Sequence, residues 1–410
     1  MIAKKYAILT TSEVSFWSDF GNCLNREFVK NGAIFFDYED IYLKHGKRGA
    51  ENFIKRILEQ NDIKVVIYHP DSSSFHFSLD FFEDLHKKFF TVFMVGDTDH
   101  FFNIKDIYYA QCMDLVVVFD CLSRYRFRRY GIDAISFNGS YDKEKYFKID
   151  SLKKNIAVSF VGDIANKINR KTYIDYVAKH GIFVETFGTG SKTGKVSHEK
   201  VVEIYNSSKI NLNFAGLLTK NPFIKEPNIN LRLRQIKGKN NEVSMCGSFV
   251  LSEYAPGTEE MFEIGKEIDV FHDEEEMVEK IRYYLVHEAE REEIAKNGYA
   301  RSLKDYENSR AFPRLIGQIE EKRRTKTKRH NEVYTDNHFI RNYSTFRVLL
   351  ITNFIKSKKW SFLFEEVLIL LKNRKINFKK ALGYFIYNMF PFLSRVRVNL
   401  KNYLRFRNIL

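Results

Sequence analysis

The chain has 410 residues, 44% of them apolar, with 20 glycines and 6 prolines. That is too long for one ordinary domain, long enough to bury two cores, and it excludes a fibrous or disordered chain. The net charge of +14 is unevenly placed: residues 321–410 hold 21 Lys/Arg against 5 Asp/Glu, and the other 320 hold 45 against 47. A neutral body with a basic tail argues against nucleic-acid binding by the whole protein. Cys23, Cys112, Cys121 and Cys246 form no CxxC pair and no zinc spacing, so buried reduced thiols are expected. Met1 to Lys5 is basic, but the apolar run Tyr6–Leu9 is too short for a signal peptide. No stretch reaches the about 18 apolar residues of a spanning helix. The expected location is cytoplasmic.

In chain order, the first 150 residues alternate short apolar runs with amphipathic stretches. Strands are predicted at Tyr6–Thr10, Ala33–Phe36, Lys64–Tyr68, Phe90–Val95, Leu115–Phe119 and Ala134–Ser136. Helices are predicted between them at Ser15–Lys30, Ala50–Gln60, Leu79–Lys88 and Ser123–Tyr130. Continuous apolar strands spaced by helices read as a parallel sheet covered on both faces. After a linker at residues 151–154 the pattern restarts with strands at Ile156–Val161, Phe183–Phe187, Ile210–Phe214 and Ser248–Ser252. Its helices are Arg170–His180, Glu199–Ser207 and Glu274–His287, and Asp305–Glu320 reads as a helix crossing back to the first domain. Residues 321–330 are a charge run read as a solvated linker, and the rest of the tail mixes aromatics, aliphatics and Lys/Arg at helical spacing. The predicted domains are therefore 1–150, 151–320 and 321–410.

Two α/β units side by side create a cleft at the carboxyl ends of both sheets, where such sheets bind ligands. A nucleoside diphosphate needs backbone N–H groups and positive helix ends aimed at its phosphates. Gly162 follows one strand directly, and Gly188 and Gly190 follow another, with Gly194 in the same loop. Neither half carries the full GxGxxG fingerprint, which counts against an NAD enzyme. Lys237, Lys239 and Glu242 fall within six positions, just before a helical turn, Gly247 and a strand. A carboxylate there can accept both hydroxyls of a ribose, and lysines beside it can neutralise a diphosphate. The same residues also fit a polar surface loop.

The segment Lys237-Gly238-Lys239-Asn240-Asn241-Glu242, then Cys246-Gly247, then Phe249–Glu253, resembles the signature of the spore-maturation-protein-type branch of group-1 glycosyltransferases. The similarity continues through Phe262–Ile268, Lys280–Leu285 and Glu290–Gly298 with Arg301. Upstream, Val158–Gly162 with Arg170, Phe187–Gly190, Gly194 and Ser208–Asn213 also match, so residues 155–312 are covered in the family's order. The resemblance implies a glycosyltransferase B architecture: two Rossmann-like domains facing across a cleft, here with a basic helical tail. It implies a nucleotide-sugar donor held by the C-terminal domain, an acceptor held by the N-terminal one, and no metal or other cofactor. Glu242 would bind the ribose, Lys237, Lys239 and Arg170 would face the diphosphate, and Gly162 and Gly188 would allow close backbone approach. Lys239 stands where the family usually has Arg, Asn241 replaces an aromatic, and Arg234 replaces a glutamate eight positions before Glu242.

Gly96-Asp97-Thr98-Asp99-His100 follows a predicted strand on the cleft side. Asp97, Asp99 or His100 could position an acceptor hydroxyl or act as general base; plain loop residues and a superficial metal motif are the other readings. The expected reaction is sugar transfer, as a hexosyl- or related transferase, to a hydroxyl of a glycan, lipid-linked glycan or protein. The alternative is an inactive nucleotide- or glycan-binding protein of the same fold. Residues 331–410 could hold an anionic membrane surface or pack on the body as an appendage.

Overall fold

The computed structural model describes residues 3–11, 19–70, 75–96, 98, 101–165, 167–216, 234–326, 337–372, 378–390 and 392. Its first half is a six-stranded sheet of β1 (Tyr6–Thr10), β2 (Ile34–Asp37), β3 (Val65–Tyr68), β4 (Phe90–Val95), β5 (Leu115–Val118) and β6 (Ala134–Ser136). All pairings are parallel, in the order β2-β1-β3-β4-β5-β6. Four of these strands (β1, β3, β4 and β5) are buried along their whole length, as their unbroken apolar sequences require for a sheet covered on both faces. The helices are α1 (Asp19–Lys30), α2 (Tyr38–Gln60), α3 (Leu79–Lys88), α4 (Ile107–Gln111) and α5 (Cys121–Arg128). Asp37, Ser78 and Asp120 each cap the helix they precede by accepting from its first-turn N–H groups. Helix α2 begins twelve residues before the predicted start at Ala50 and breaks at Gly46, where φ is +67°; in the added stretch Tyr38 and Tyr42 pack on Tyr68 and Phe77 of the same half, and Lys47 meets Glu365 and Glu366 of the tail.

The second half repeats this topology with β7 (Ile156–Val161), β8 (Glu185–Phe187), β9 (Ser208–Asn213), β10 (Val250–Glu253) and β11 (Asp269–Phe271), again all parallel. Its order is β11-β10-β9-β7-β8. In both sheets the order reverses between the first and third strands of the half, β1/β3 and β7/β9. Those two switch points are where crevices open at the strands' carboxyl ends. The helices are α6 (Ile168–Lys179), α7 (His198–Ser207), α8 (Lys239–Met245), α9 (Glu274–Val286) and α10 (Glu288–Asp305). Strand β11 was missed in the sequence reading because three residues carry no period.

The chain crosses between the halves twice, and the crossings run side by side. Tyr141 N–H donates to Tyr306 O and Asn308 N–H to Tyr141 O, both at 2.9 Å, and Ser140 Oγ–H donates to Asn308 Oδ1 at 2.7 Å. A Cβ at Gly139 would stand 2.6 Å from the Tyr306 ring, so only glycine fits this crossing. Helix α11 (Asn308–Arg324) then packs on the first half: Phe312 meets Phe28 edge-on at 4.9 Å and Tyr6 Oη–H donates to Glu320 at 2.7 Å. Residues 321–324 of the expected linker are thus helix, and Lys322 and Lys326 pair with Asp133 and Asp114. One buried cluster runs from Tyr6 and Phe28 through Tyr141 and Phe312 to Val243 and Met245, joining the halves.

The tail forms α12 (Asn337–Lys356), α13 (Trp360–Lys372) and α14 (Phe378–Met389). It packs on the first half: Phe346 lies 5.1 Å from His76, and Phe354 and Phe362 lie 5.4 and 4.9 Å from Phe75. All four cysteines are free and buried. Among the described residues no helix is long and apolar enough to cross a membrane.

Candidate functional site

The carboxyl end of β7 organises the second half's crevice. Gly162 N–H donates to Phe187 O and Gly188 N–H to Gly194 O, both at 2.7 Å. Gly188 has φ +116°, and a Cβ on it would stand 2.5 Å from Gly162 O, so the two turns touch backbone to backbone. Helix α6 starts just beyond, at Ile168. Arg170 N–H donates to Lys167 O at 3.1 Å, and the positive end of the helix dipole lies at the same turn as Gly162.

Three predicted cationic or glycine positions meet here. Arg170, in the first turn of α6, donates from Nη1 to Asp163 O at 3.1 Å and lies 5.6 Å from the Phe160 ring centre. Lys239 opens α8, donates to Val161 O and sits 4.3 Å over the same Phe160 ring. A Cβ on Gly162 would come within 2.8 Å of Phe160 and 3.3 Å of Arg170 Nη1. Burial and the neighbouring Arg170 push the Lys239 ammonium from its usual 10.5 down to about 7, with Glu242 opposing.

Glu242 lies one turn along α8. Its Oε2 accepts from Tyr205 Oη–H at 3.3 Å. Its charge, after burial, helps hold the Tyr205 and Tyr141 phenols well above their usual range. Lys237, half-buried, precedes the helix and gives its carbonyl to Asn240 N–H at 3.3 Å; the contacts that gather Arg170 and Lys239 on Phe160 do not include it. Asn241 is fully buried. It donates to Asn138 O at 3.3 Å, in the other half, and accepts from Ser302 Oγ–H at 3.5 Å. An aromatic at 241 would displace both bonds, so Asn241 ties the two halves.

Sequence reasoning gave no role to several residues that shape this crevice. Glu253, at the end of β10 and 1% exposed, accepts from Ala215 N–H at 2.8 Å, Gly216 N–H at 2.9 Å and Tyr173 Oη–H at 3.1 Å, and pairs with Arg234. Arg234 also bridges Gly216 through the backbone, so one buried carboxylate fixes two ends of chain around the crevice. Asn169 presses on Gly216, where a Cβ would stand 2.0 Å from its Nδ2. Among the described residues the buried Nδ2 and Oδ1 of Asn169 and the Oγ1 of Thr189 find no hydrogen-bond partner. Buried polar groups are rarely left so. A glutamate ending an apolar strand was the available signal for Glu253; Asn169 had none.

On the facing half, Asp97, Asp99 and His100 lie outside the described residues. The described neighbours at that sheet's switch point are Thr10, Asn25 and His69. Asn25 Nδ2–H donates to Thr10 Oγ1 at 3.3 Å, and His69 Nδ1 lies 3.1 Å from Asn25 Oδ1. Among the described residues no group of three His, Cys, Asp or Glu side chains comes together as a metal site.

Comparisons with known proteins agree with this geometry. Residues 170–317, the segment from Arg170 through α8 to α11, match a family model described as glycosyl transferase-like. No curated protein matches the chain in sequence. Among solved structures, Anabaena HepE in complex with UDP superposes with a TM-score of 0.57 at 11% identity, covering 77% of this chain and 100% of that one. The same protein in complex with UDP-glucose gives 0.54 at 12%, covering 77% and 98%. The sucrose-phosphate synthase of Thermosynechococcus elongatus gives 0.55 at 10%, again covering 77% and 98%. Two parallel Rossmann-like sheets of one topology, a buried cluster that joins them and a glycosyl-transferase-like second half together make this chain a protein of the glycosyltransferase B fold.

Proposed function

We propose that the protein transfers a sugar from a nucleoside-diphosphate sugar to an acceptor hydroxyl. The observation that carries this reading is the convergence of Arg170 and Lys239 on Phe160, beside the Gly162–Gly188 backbone contact and the first turn of α6. That set of groups suits a diphosphate, and it suits a leaving diphosphate better, because fixed charges stabilise what develops in the transition state. The similarity to structures holding UDP and UDP-glucose supports a uridine nucleotide and a hexose as the first donors to try.

In this reading Glu242 accepts the ribose hydroxyls, Lys237 adds to the field at the diphosphate, and Asn169 reads a polar edge of the donor. Two cations and a helix end take the part a metal plays elsewhere, so no metal cofactor is required. Asp97, Asp99 or His100 would position or deprotonate the acceptor hydroxyl. The acceptor is a glycan, a lipid-linked glycan or a protein, and the branch of the family is the spore-maturation-protein type.

The test is a donor panel assayed in the presence of a chelator, for nucleotide binding and for release of nucleoside diphosphate. Turnover of at least one donor, lost in Lys239→Ala and Glu242→Ala proteins that remain folded, supports the reading. Nucleotide binding with no turnover of any donor, with or without acceptor, would assign the chain to binding alone. Full activity in both variants would remove the site assignment.

A further inference from the structure

Helix α13 turns one face to the body and the other to solvent, and its chemistry is divided with it. Phe362 packs on Phe75 at 4.9 Å, and Glu366 is buried against Arg347, with Nη1 to Oε1 at 2.9 Å and Lys47 Nζ at 3.7 Å. Glu365 reaches the break in α2, accepting from Lys47 N–H at 3.3 Å. Both carboxylates of α13 are therefore turned to the body.

The outer face holds Trp360 (59% exposed), Phe364 (72%), Leu368 (50%) and Leu371 (66%). At 100° per residue these four fall within an arc of about 80°, in a stripe about 16 Å long. Lys356 at the end of α12 and Lys358 in the turn that leads into α13 are exposed, as are Lys379 in the first turn of α14 and Leu382 beyond it. An apolar stripe of this size on a monomer marks an interaction site.

We infer that the outer face of α13 docks the protein on an anionic phospholipid membrane, with Trp360, Phe364, Leu368 and Leu371 entering the headgroup boundary and the flanking lysines meeting lipid phosphates. Charge selects this occupant. Exposed Lys356, Lys358 and Lys379 flank the stripe while Glu365 and Glu366 are turned away from it, so the face offers cations and apolar groups, which suits lipid headgroups. An indole at the end of the stripe suits the boundary between headgroup and hydrocarbon. The docking surface is remote in sequence from the crevice residues and does not depend on the glycosyl-transfer reading.

The chain has two tryptophans, Trp17 and Trp360, so Trp17→Phe leaves Trp360 as the sole indole. On vesicles of mixed phosphatidylglycerol and phosphatidylcholine its emission is expected to shift to the blue and to be quenched by brominated acyl chains. Co-sedimentation of the otherwise unsubstituted full-length protein is expected on these vesicles, to weaken in high salt, and to be weaker on phosphatidylcholine alone. Phe364→Glu with Leu368→Glu is expected to lower vesicle affinity by about tenfold or more, since it removes two inserted groups and adds two repelled charges. Both positions are exposed, so thermal stability should hold. Absence of binding to anionic vesicles, or binding unchanged by the double substitution, overturns the proposal. A self-association that the double substitution abolishes, without lipid binding, would give the stripe to a second copy instead and also overturn it.

Discussion

Lys239 holds its ammonium 4.3 Å from the ring centre of Phe160 and donates to the carbonyl of Val161, the residue after that ring. Strand β7 thus supplies both an aromatic face and a carbonyl to a lysine that enters from a helix 78 residues later. With Arg170 beside it, this lysine is poorly solvated and close to a like charge, and its affinity for a proton falls to about 7.

A pH dependence follows. Above about pH 7 the unliganded protein holds Lys239 increasingly neutral. A bound diphosphate restores the charge and draws up to one proton. Nucleotide affinity should therefore fall as pH rises above about 7, after allowing for the nucleotide's own titration. For folding the sign is the reverse of the usual lysine: the unfolded chain keeps the proton up to 10.5, so this group's contribution to stability rises between about pH 7 and 10.5. Calorimetry of UDP binding in buffers of different ionisation enthalpy checks the uptake, and Lys239→Met should abolish it. The same uptake in that variant would place the proton elsewhere.

Glu242→Gln keeps an acceptor for Tyr205 but removes the charge. If the carboxylate holds the ribose diol, the lost charge-assisted bonds cost about 1.5–3 kcal/mol, or about 10–100-fold in UDP affinity. Far-UV circular dichroism should be unchanged. Unaltered UDP affinity in the folded variant sinks the ribose assignment and leaves Glu242 as a partner of Tyr205.

Gly188→Ala forces a Cβ to within 2.5 Å of Gly162 O at φ +116°. A penalty of about 1–3 kcal/mol is expected from the backbone conformation, with loss of nucleotide binding as the two turns separate. Gly194→Ala is the control: φ is +70°, but a Cβ there meets nothing within 4 Å, so the cost is about 1–2 kcal/mol. Melting and UDP titration of the pair distinguish collision from backbone strain; equal effects would argue against the Gly162 contact.

Arg347 of α12 and Glu366 of α13 tie two helices of the tail together, and Lys47 of α2 reaches the same carboxylate from the body at 3.7 Å. Both side chains are buried, and the carboxylate's field holds the guanidinium above its already high range. Arg347→Met leaves Glu366 buried beside Lys47 alone and should cost about 3–5 kcal/mol. Limited proteolysis should then cut between α11 and α13 before the two-domain body is attacked. Cleavage at the wild-type rate would show that the apolar contacts to Phe75 suffice.

Local order was largely written in the residues. β1, β4, β6, β7 and α3 occur at the predicted positions because each is a short apolar or amphipathic run bounded by turn residues, and that signal is local. The glycine turns at 162 and 188 and the Lys239–Glu242 run were visible for the same reason. Glu253 was not, because its role depends on Ala215, Gly216, Tyr173 and Arg234, which reach it from three separate stretches of chain.

The sequence by itself determined two parallel α/β units, a neutral body with a basic tail, and a second half with the order of a glycosyl-transferase-like segment. Periodicity and composition are properties of neighbours along the chain, so they survive without a fold. Only the tertiary structure decided that Arg170 and Lys239 share one phenyl ring, that Asn241 ties the halves through Asn138, and that α13 hides its carboxylates and exposes Trp360 and Phe364. Each of those depends on packing between distant segments. Such packing selects which face of an element is covered, and no local pattern contains that choice.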